Sequence, residues 1–117
     1  MKEILILGAS SGIGLSLTNK LLDSGHRVFA TYCKKKIHIS HPNLITSFFD
    51  TQNSNSFEFD LPEKLDGFVY CPGTINLKPF RSLKQDDFKL DFDVNVLGFI
   101  KSLQLILKPL KKSNLSS

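Results

Sequence analysis

The stretch Lys2–Leu22, KEILILGASSGIGLSLTNKLL, constrains the fold of this chain more than any other. It opens with the apolar run Ile4–Leu7, which is short and lacks polar alternation, and so predicts a strand buried on both faces of a parallel sheet. Apolar residues in Ile13–Leu22 then recur at helical spacing. The pattern stops at Gly25, because glycine is typical just past the end of a helix. The sequence therefore predicts a strand, a glycine turn and a helix.

The predicted turn spaces its glycines as G-x-x-x-G-x-G, with Gly8, Gly12 and Gly14 at the three positions. In a strand–turn–helix unit, one glycine permits a sharp exit from the strand and another lets the backbone approach a pyrophosphate. A third lets helix and strand pack closely. Free N–H groups at the helix N-terminus then face the anion. A plain turn needs only one glycine, so the spacing favours a dinucleotide-binding turn over a purely structural one.

The GASSGIG turn resembles that of the short-chain dehydrogenases/reductases, which bind NAD(P) there. The resemblance implies an α/β fold of the Rossmann type, a doubly wound parallel sheet whose first four strands have the order 3-2-1-4. It also implies hydride transfer between nicotinamide and a carbonyl or alcohol. The 3-oxoacyl-carrier-protein reductases are the nearest type by this resemblance. We expect residues 1–117 to form the N-terminal portion of an NAD(P)-binding domain, ending before strand five.

Three further strands are predicted, at Arg27–Tyr32, Leu44–Phe49 and Leu65–Cys71. NAD-selective relatives carry an acidic residue at the end of the second strand, to hold the ribose 2′-hydroxyl. Here that position is Tyr32, and lysines begin at Lys34. The resemblance therefore implies a preference for NADP over NAD. The alternative, that the lysines only solubilise a loop, stays open.

The resemblance extends to the ends of the third and fourth predicted strands. Asp50 stands where the family places an aspartate facing adenine, although Thr51 replaces the usual aliphatic neighbour. The family's Asn-Asn-Ala-Gly reads Tyr70-Cys71-Pro72-Gly73 here, so both asparagines are absent. The residues expected to bind the cofactor are Gly8, Ser10, Ser11, Gly12, Ile13, Gly14, Tyr32, Lys34, Asp50, Thr51, Cys71, Pro72 and Gly73.

The longest helical pattern spans Asp86–Lys108, and its apolar stripe is unusually broad, so such a helix needs cover on more than one side. Relatives pair through this helix, so we expect a homo-oligomer formed through residues 86–108. Asn95 lies inside the apolar stretch, where an amide needs its hydrogen bonds satisfied. The run Asn95-Val96-Leu97-Gly98 resembles a family motif whose asparagine supports catalysis, which makes Asn95 the one catalytic candidate.

The family's catalytic serine and helical Tyr-x-x-x-Lys are not found in these 117 residues. The match from Tyr32 to Lys36 lies at a predicted strand end rather than on a helix, so we reject it. We therefore expect the cofactor-binding portion of an NAD(P)-dependent oxidoreductase acting on a small carbonyl or alcohol, either as a fragment or as a natural truncation. The alternative is a non-catalytic NAD(P)-binding or interaction module.

Composition excludes several other classes. The content of 41% hydrophobic and 22% charged residues is that of a soluble globular domain, and no apolar run approaches the ~18 residues of a membrane span. The net charge of +4 comes mostly from scattered lysines, so we expect no nucleic-acid partner. No signal peptide is visible at the start of the sequence, so we expect a cytoplasmic protein. Cys33 and Cys71 are expected to be free thiols. His38 and His41 lie beside Pro42 in a short segment, and we expect no metal site there.

Overall fold

The structure is a computed structural model that describes residues 1–72 and 80–114. Its four strands form one parallel sheet of order β3-β2-β1-β4, which confirms the predicted fold class and strand order. The strands are β1 (Glu3–Leu7), β2 (Arg27–Tyr32), β3 (Leu44–Phe48) and β4 (Gly67–Tyr70).

Helix α1 (Gly12–Asp23) joins β1 to β2, and Gly25 follows its end with a φ of +85°. The predicted single helix over residues 86–108 divides into α2 (Gln85–Phe92), a π-helical turn (Asp93–Leu97) and α3 (Gly98–Lys112). A single 3₁₀ turn, Phe80–Ser82, precedes α2. Within the described ranges, no helix combines the length and apolarity needed to cross a bilayer.

Both faces of the sheet are covered, as the unbroken apolar run of β1 predicts. Ile4 and Ile6 point to the face under α1, where they pack with Val28. Leu5 and Leu7 point to the other face and pack against Ile106 of α3 and against Leu65. Alternate residues of one strand therefore serve two hydrophobic cores, which is why β1 has no polar residue in the centre of its sequence.

The connection from β3 to β4 contains no helix in the described structure, which agrees with the sequence expectation of a short one at most. Aromatic residues cover the sheet there instead. The Phe57 ring stacks on the Phe49 ring with centroids 4.5 Å apart, and the Phe59 ring meets the edge of Phe29 at 5.5 Å. The apolar area that a crossover helix would supply thus comes from side chains of an irregular segment.

The long helical segment buries only some of the apolar residues that define its sequence pattern, Ile106 and Leu110 among them. The buried positions recur every four residues and include two very small side chains: Val94, Gly98, Ser102, Ile106 and Leu110. By contrast, Phe88 is 50% exposed and Phe92 is 53% exposed. The small residues Gly98 and Ser102 let the helix axis approach the sheet closely. Other large apolar residues, such as Ile100, stay 45% exposed.

Candidate functional site

A cleft of about 860 Å³ lies at the carboxyl ends of the strands. Its walls are the turn after β1, the ends of β2, β3 and β4, and the π-helical turn. The connection after β1 leads to β2 on one side of it, and the connection after β3 crosses back to β4 on the other side of β1, so the strand order reverses beside β1. Open α/β sheets bind ligands in the crevice at such a switch point, and the volume suits a small organic ligand.

Nearly all of the residues predicted to bind a cofactor come together in this cleft. Gly73 falls outside the described residues. The predicted residues that line the cleft are Gly8, Ser10, Ser11, Gly12, Ile13, Gly14, Tyr32, Lys34, Asp50, Thr51, Cys71 and Pro72.

The glycine turn is held tightly against its neighbours. Gly8 has a φ of +76°, and a Cβ there would lie 2.9 Å from the Pro72 backbone nitrogen. The next residue, Ala9, donates its N–H to the Thr31 carbonyl at 2.9 Å. Gly14 packs directly on the Gly8 carbonyl, where a Cβ would overlap it. The turn therefore needs glycine at Gly8 for conformation and at Gly14 for space.

Helix α1 begins at the floor of the cleft. Ser11 precedes it in an extended conformation, with a φ of −159°, and its side chain does not cap the helix. The first turn of α1 carries no acidic side chain. The partial positive charge of the helix N-terminus is therefore left for an anion.

The space in front of this turn suits a phosphate group. Gly12 has a φ of +57°, and a Cβ built there would meet no described atom within 4 Å. The side chain of Ile13 is 80% exposed beside it. Backbone N–H groups and open volume coincide at this place, so the cleft fits the pyrophosphate of a dinucleotide.

The end of β2 supplies the cationic part of the cleft. Tyr32, Lys34 and Lys35 line it, whereas Lys36 does not. Cys33 lies between them as a free thiol. Burial, and secondarily the Asp50 carboxylate, raise the pKa of the Cys33 thiol, so it stays protonated at neutral pH.

The end of β3 is ordered by Asp50. Its carboxylate accepts hydrogen bonds from the Asn53 side chain at 2.8 Å and the Gln52 N–H at 2.9 Å. These two bonds lower the pKa of Asp50, and the bond from Asn53 has the larger effect. The charged carboxylate thus holds its own turn together and places Thr51 at the cleft wall.

The end of β4 carries Tyr70, Cys71 and Pro72. The Cys71 N–H donates to the Leu7 carbonyl at 3.0 Å, which extends the β1–β4 pairing up to the cleft. Burial raises the pKa of the Cys71 thiol. Tyr70 is half-buried, and its hydroxyl donates to the Val94 carbonyl of the π-helical turn at 2.5 Å.

Sequence reasoning missed several of the lining residues, because they reach the cleft from positions that carry no motif. Their common signal is position, since most of them flank a strand end that the glycine turn already marks as a binding edge. The residues missed are Cys33, Phe49, Gln52, Val69, Tyr70 and Val94, whereas Lys35 belongs to the lysine run already singled out.

Asn95 lies in the π-helical turn, where it is exposed rather than buried as its apolar neighbours suggested. It does not line the cleft, although its neighbour Val94 does. The Tyr-x-x-x-Lys match from Tyr32 to Lys36 does not lie on a helix. Tyr32 ends β2, and Lys36 follows in an irregular segment.

The sequence profile of the family described as short chain dehydrogenase matches residues 2–116. The chain belongs to the short-chain dehydrogenase family. Among curated relatives, it is 31% identical to the 3-amino-tetrahydro-pyrrolizinone reductase of Xenorhabdus hominickii, and the alignment covers 96% of this chain and 42% of that protein.

Solved structures of short-chain dehydrogenases share the fold. A Bacillus thuringiensis structure described as a 3-oxoacyl-reductase matches with a TM-score of 0.75 at 17% identity, over 99% of this chain and 55% of that one. A Burkholderia multivorans short-chain dehydrogenase/reductase with bound NADP matches with a TM-score of 0.76 at 19% identity, over 93% and 54%. A Leptospira borgpetersenii short-chain dehydrogenase with bound NAD⁺ matches with a TM-score of 0.74 at 19% identity, over 89% of this chain and 44% of that one. The chain thus spans about half the length of the relatives it matches.

Proposed function

We propose that this chain is the cofactor-binding portion of an NAD(P)-dependent short-chain oxidoreductase. The observation that carries the proposal is the cleft itself, in which the glycine turn, the uncapped start of α1 and the ends of all four strands meet. Membership of the family supports an oxidoreductase, and relatives with either NADP or NAD⁺ support a nicotinamide cofactor.

Different residues of the chain bind different parts of the cofactor. The N–H groups of the turn from Ser10 to Gly14 bind the pyrophosphate, and the dipole of α1 favours its charge. Asp50 and Thr51 face one end of the dinucleotide, and Cys71 and Pro72 form the wall beside β1. When bound, the nicotinamide supplies the hydride that the family transfers to or from a carbonyl or alcohol.

We further propose that the cofactor is NADP(H) in preference to NAD(H). An acidic side chain at Tyr32 would repel a 2′-phosphate, and none stands there. Lys34 and Lys35 line the same part of the cleft and can donate charge-assisted hydrogen bonds to that phosphate. Because Lys34 and Lys35 are exposed, the contribution of these contacts falls as salt is added.

NADPH is expected to bind this chain roughly 5- to 30-fold more tightly than NADH, which corresponds to about 1–2 kcal/mol from one or two partly exposed charged contacts. Titration of each reduced cofactor, followed by its own fluorescence, measures both dissociation constants. Lys34→Gln is expected to remove most of the difference by weakening NADPH binding alone.

Lys36→Gln is the matched control, since it removes the same charge from the neighbouring loop at a residue that does not line the cleft. Equal affinities for the two cofactors, or equal effects of the two substitutions, would contradict the preference for NADP(H). Absence of binding by either cofactor would overturn the proposed function as a whole.

The chain alone is expected to reduce no carbonyl at an enzymatic rate, because neither of its two tyrosines is positioned as a general acid. Tyr32 ends a strand, and the Tyr70 hydroxyl is bonded to the helix backbone. A positioned general acid contributes typically 10²–10⁴-fold, and a bound nicotinamide without one retains only proximity. NADPH oxidation with a panel of ketones and 3-oxoacyl thioesters tests this. Turnover that disappears in Tyr32→Phe would show that the Tyr32 motif is catalytic after all.

Family membership also supports a proposal about partners. We propose a small carbonyl or alcohol substrate for the whole protein, a homo-oligomer formed through residues 86–108, and a cytoplasmic location. A non-catalytic NAD(P)-binding or interaction module is the second candidate, favoured by the exposed apolar side chains of α2 and α3. Cofactor binding without turnover agrees with both candidates, and catalysis by a longer version of the chain distinguishes them.

A further inference from the structure

Two residues at the cleft depart from the family pattern, and the structure brings them into contact. Thr51 replaces an aliphatic residue after β3, and Tyr70 replaces an asparagine at the end of β4. The Tyr70 hydroxyl and the Thr51 Cβ both lie beside Gly98. Burial raises the pKa of Tyr70, and a hydrogen bond from the Thr51 side chain opposes that rise. Both side chains line the cleft.

The same tyrosine hydroxyl meets the long helix where its hydrogen-bond ladder changes register. Gly98 donates its N–H to the Asp93 carbonyl, five residues back, rather than to Val94 four back. The Val94 carbonyl instead accepts the Tyr70 hydroxyl proton at 2.5 Å. A side chain that inserts into the helical ladder in this way is a recognised cause of a local change in helix register.

The contacts around Tyr70 leave it little freedom. The Phe99 ring meets the Tyr70 ring edge-to-face with centroids 5.6 Å apart, and Phe99 also stacks on Phe68 at 6.0 Å. A Cβ on Gly98 would overlap the Tyr70 hydroxyl and lie 3.1 Å from the Thr51 Cβ. Glycine at this position therefore leaves the space that the tyrosine occupies.

We propose that Tyr70 is a positioning residue that holds the π-helical turn in register and thereby fixes the wall of the cleft that Val94 and Thr51 form. The two departures from the family pattern and Gly98 are then one connected set of contacts. The effect on ligand affinity rests on the proposed function. The effect on the helix does not, so the two can fail separately.

The first test is Tyr70→Phe, which removes only the hydroxyl and keeps the ring contacts. Hydrogen–deuterium exchange of peptides covering residues 93–98 is expected to become about tenfold faster, since the Val94 carbonyl loses its donor. Peptides from α1 serve as the internal control and keep their rates. The affinity for NADPH is expected to fall by about three- to tenfold in the same variant, because Val94 loses its fixed position.

A spectroscopic arm separates positioning from a general loss of stability. In a Tyr32→Phe background, Tyr70 is the remaining tyrosine, and its ionisation is followed by ultraviolet absorbance. Thr51→Val removes the hydrogen bond that lowers the pKa of Tyr70, so the titration is expected to move to higher pH. Thr46→Val is the matched control, since Thr46 is an exposed residue of β3 outside the cleft, and it leaves the titration unchanged.

Gly98→Ala supplies an arm that does not depend on the stability of Tyr70→Phe. The substitution is expected to lower the unfolding temperature, and adding Tyr70→Phe to it is expected to restore part of the loss, because the overlapping hydroxyl is gone.

Two outcomes overturn the proposal: unchanged exchange over residues 93–98 in Tyr70→Phe, or strictly additive effects of Gly98→Ala and Tyr70→Phe on the unfolding temperature. Faster exchange with unaltered NADPH affinity overturns the part of the proposal in which Tyr70 fixes the wall of the cleft. If the unaltered chain binds no NADPH, the proposed function fails, and the exchange and titration arms still decide the role of Tyr70.

Discussion

Gly14→Ala is expected to lower the free energy of unfolding by roughly 3 kcal/mol or more, the largest effect expected of a methyl group added at any of the described glycines. A Cβ at Gly14 would overlap the Gly8 carbonyl oxygen and would lie 3.0 Å from the Ala9 Cα. These are backbone atoms at the end of β1, which cannot rotate away as a flexible side chain does.

The surrounding hydrogen bonds prevent the turn from moving aside. Ala9 is bonded to Thr31 of β2, and the Leu7 carbonyl accepts from Cys71 after β4, at 2.9 Å and 3.0 Å. The Gly14 carbonyl also accepts the buried Thr18 hydroxyl at 2.7 Å. Displacing the helix start would therefore strain β1 pairing on both sides. For a domain of this size, the loss corresponds to a fall of roughly 10–20 °C in unfolding temperature by circular dichroism.

Gly12→Ala is the control, because it adds the same methyl group in the same turn where nothing described lies within 4 Å. Its φ of +57° makes alanine strained by about 1–2 kcal/mol, so its unfolding temperature falls less. A larger effect at Gly12 than at Gly14 would mean that backbone conformation, and not close packing of α1 on β1, is the main reason for the glycine pattern.

The fold was predictable from sequence because its signals are local. Apolar runs marked each strand, the glycine spacing marked the turn after β1, and Gly25 marked the end of α1. Once the strand order follows, the carboxyl ends of the strands must meet at one edge, so the cleft follows as well. This is why Ser11, Asp50 and Cys71, which are distant in sequence and were each proposed to bind the cofactor, line one cleft.

The long helix shows where such reasoning stops. Its apolar period could not indicate which residues face the sheet, because Gly98 and Ser102 give no hydrophobic signal yet permit the closest approach. Nor could local pattern predict the π-helical turn, which depends on a hydroxyl from Tyr70, 24 residues away from Val94. Both features are decided by a tertiary contact that no sequence window contains.

The isolated chain is expected to self-associate through the exposed apolar side chains of its long helix. They include Val96, Ile100 and Leu107, which are spaced by four and seven residues and are 40%, 45% and 46% exposed. Phe92, which is 53% exposed, extends the surface towards α2. Contiguous apolar surface of this kind is rare on soluble monomers and marks a contact site.

Sedimentation velocity over a range of concentrations is the measurement, with a monomer–dimer equilibrium as the expected result. Ile100→Lys and Leu107→Lys each place a charge on the contact surface, and each is expected to weaken the dimer by roughly tenfold or more. The reason is that burying one such side chain contributes about 1.5–3 kcal/mol. Asn19→Lys adds the same charge to an exposed position of α1 and is expected to leave the equilibrium unchanged.

The strand edge offers a second route to association, and the same experiment separates the two. Among the described strands β4 pairs with β1 alone, so its other edge can template further strands. Association through the helix surface is closed after two copies, and it responds to the lysine substitutions. Association through the β4 edge continues to larger species, and it does not respond. A chain that stays monomeric at every concentration would show that the exposed side chains of α3 are tolerated in water, and would remove the main support for a homo-oligomer formed through residues 86–108.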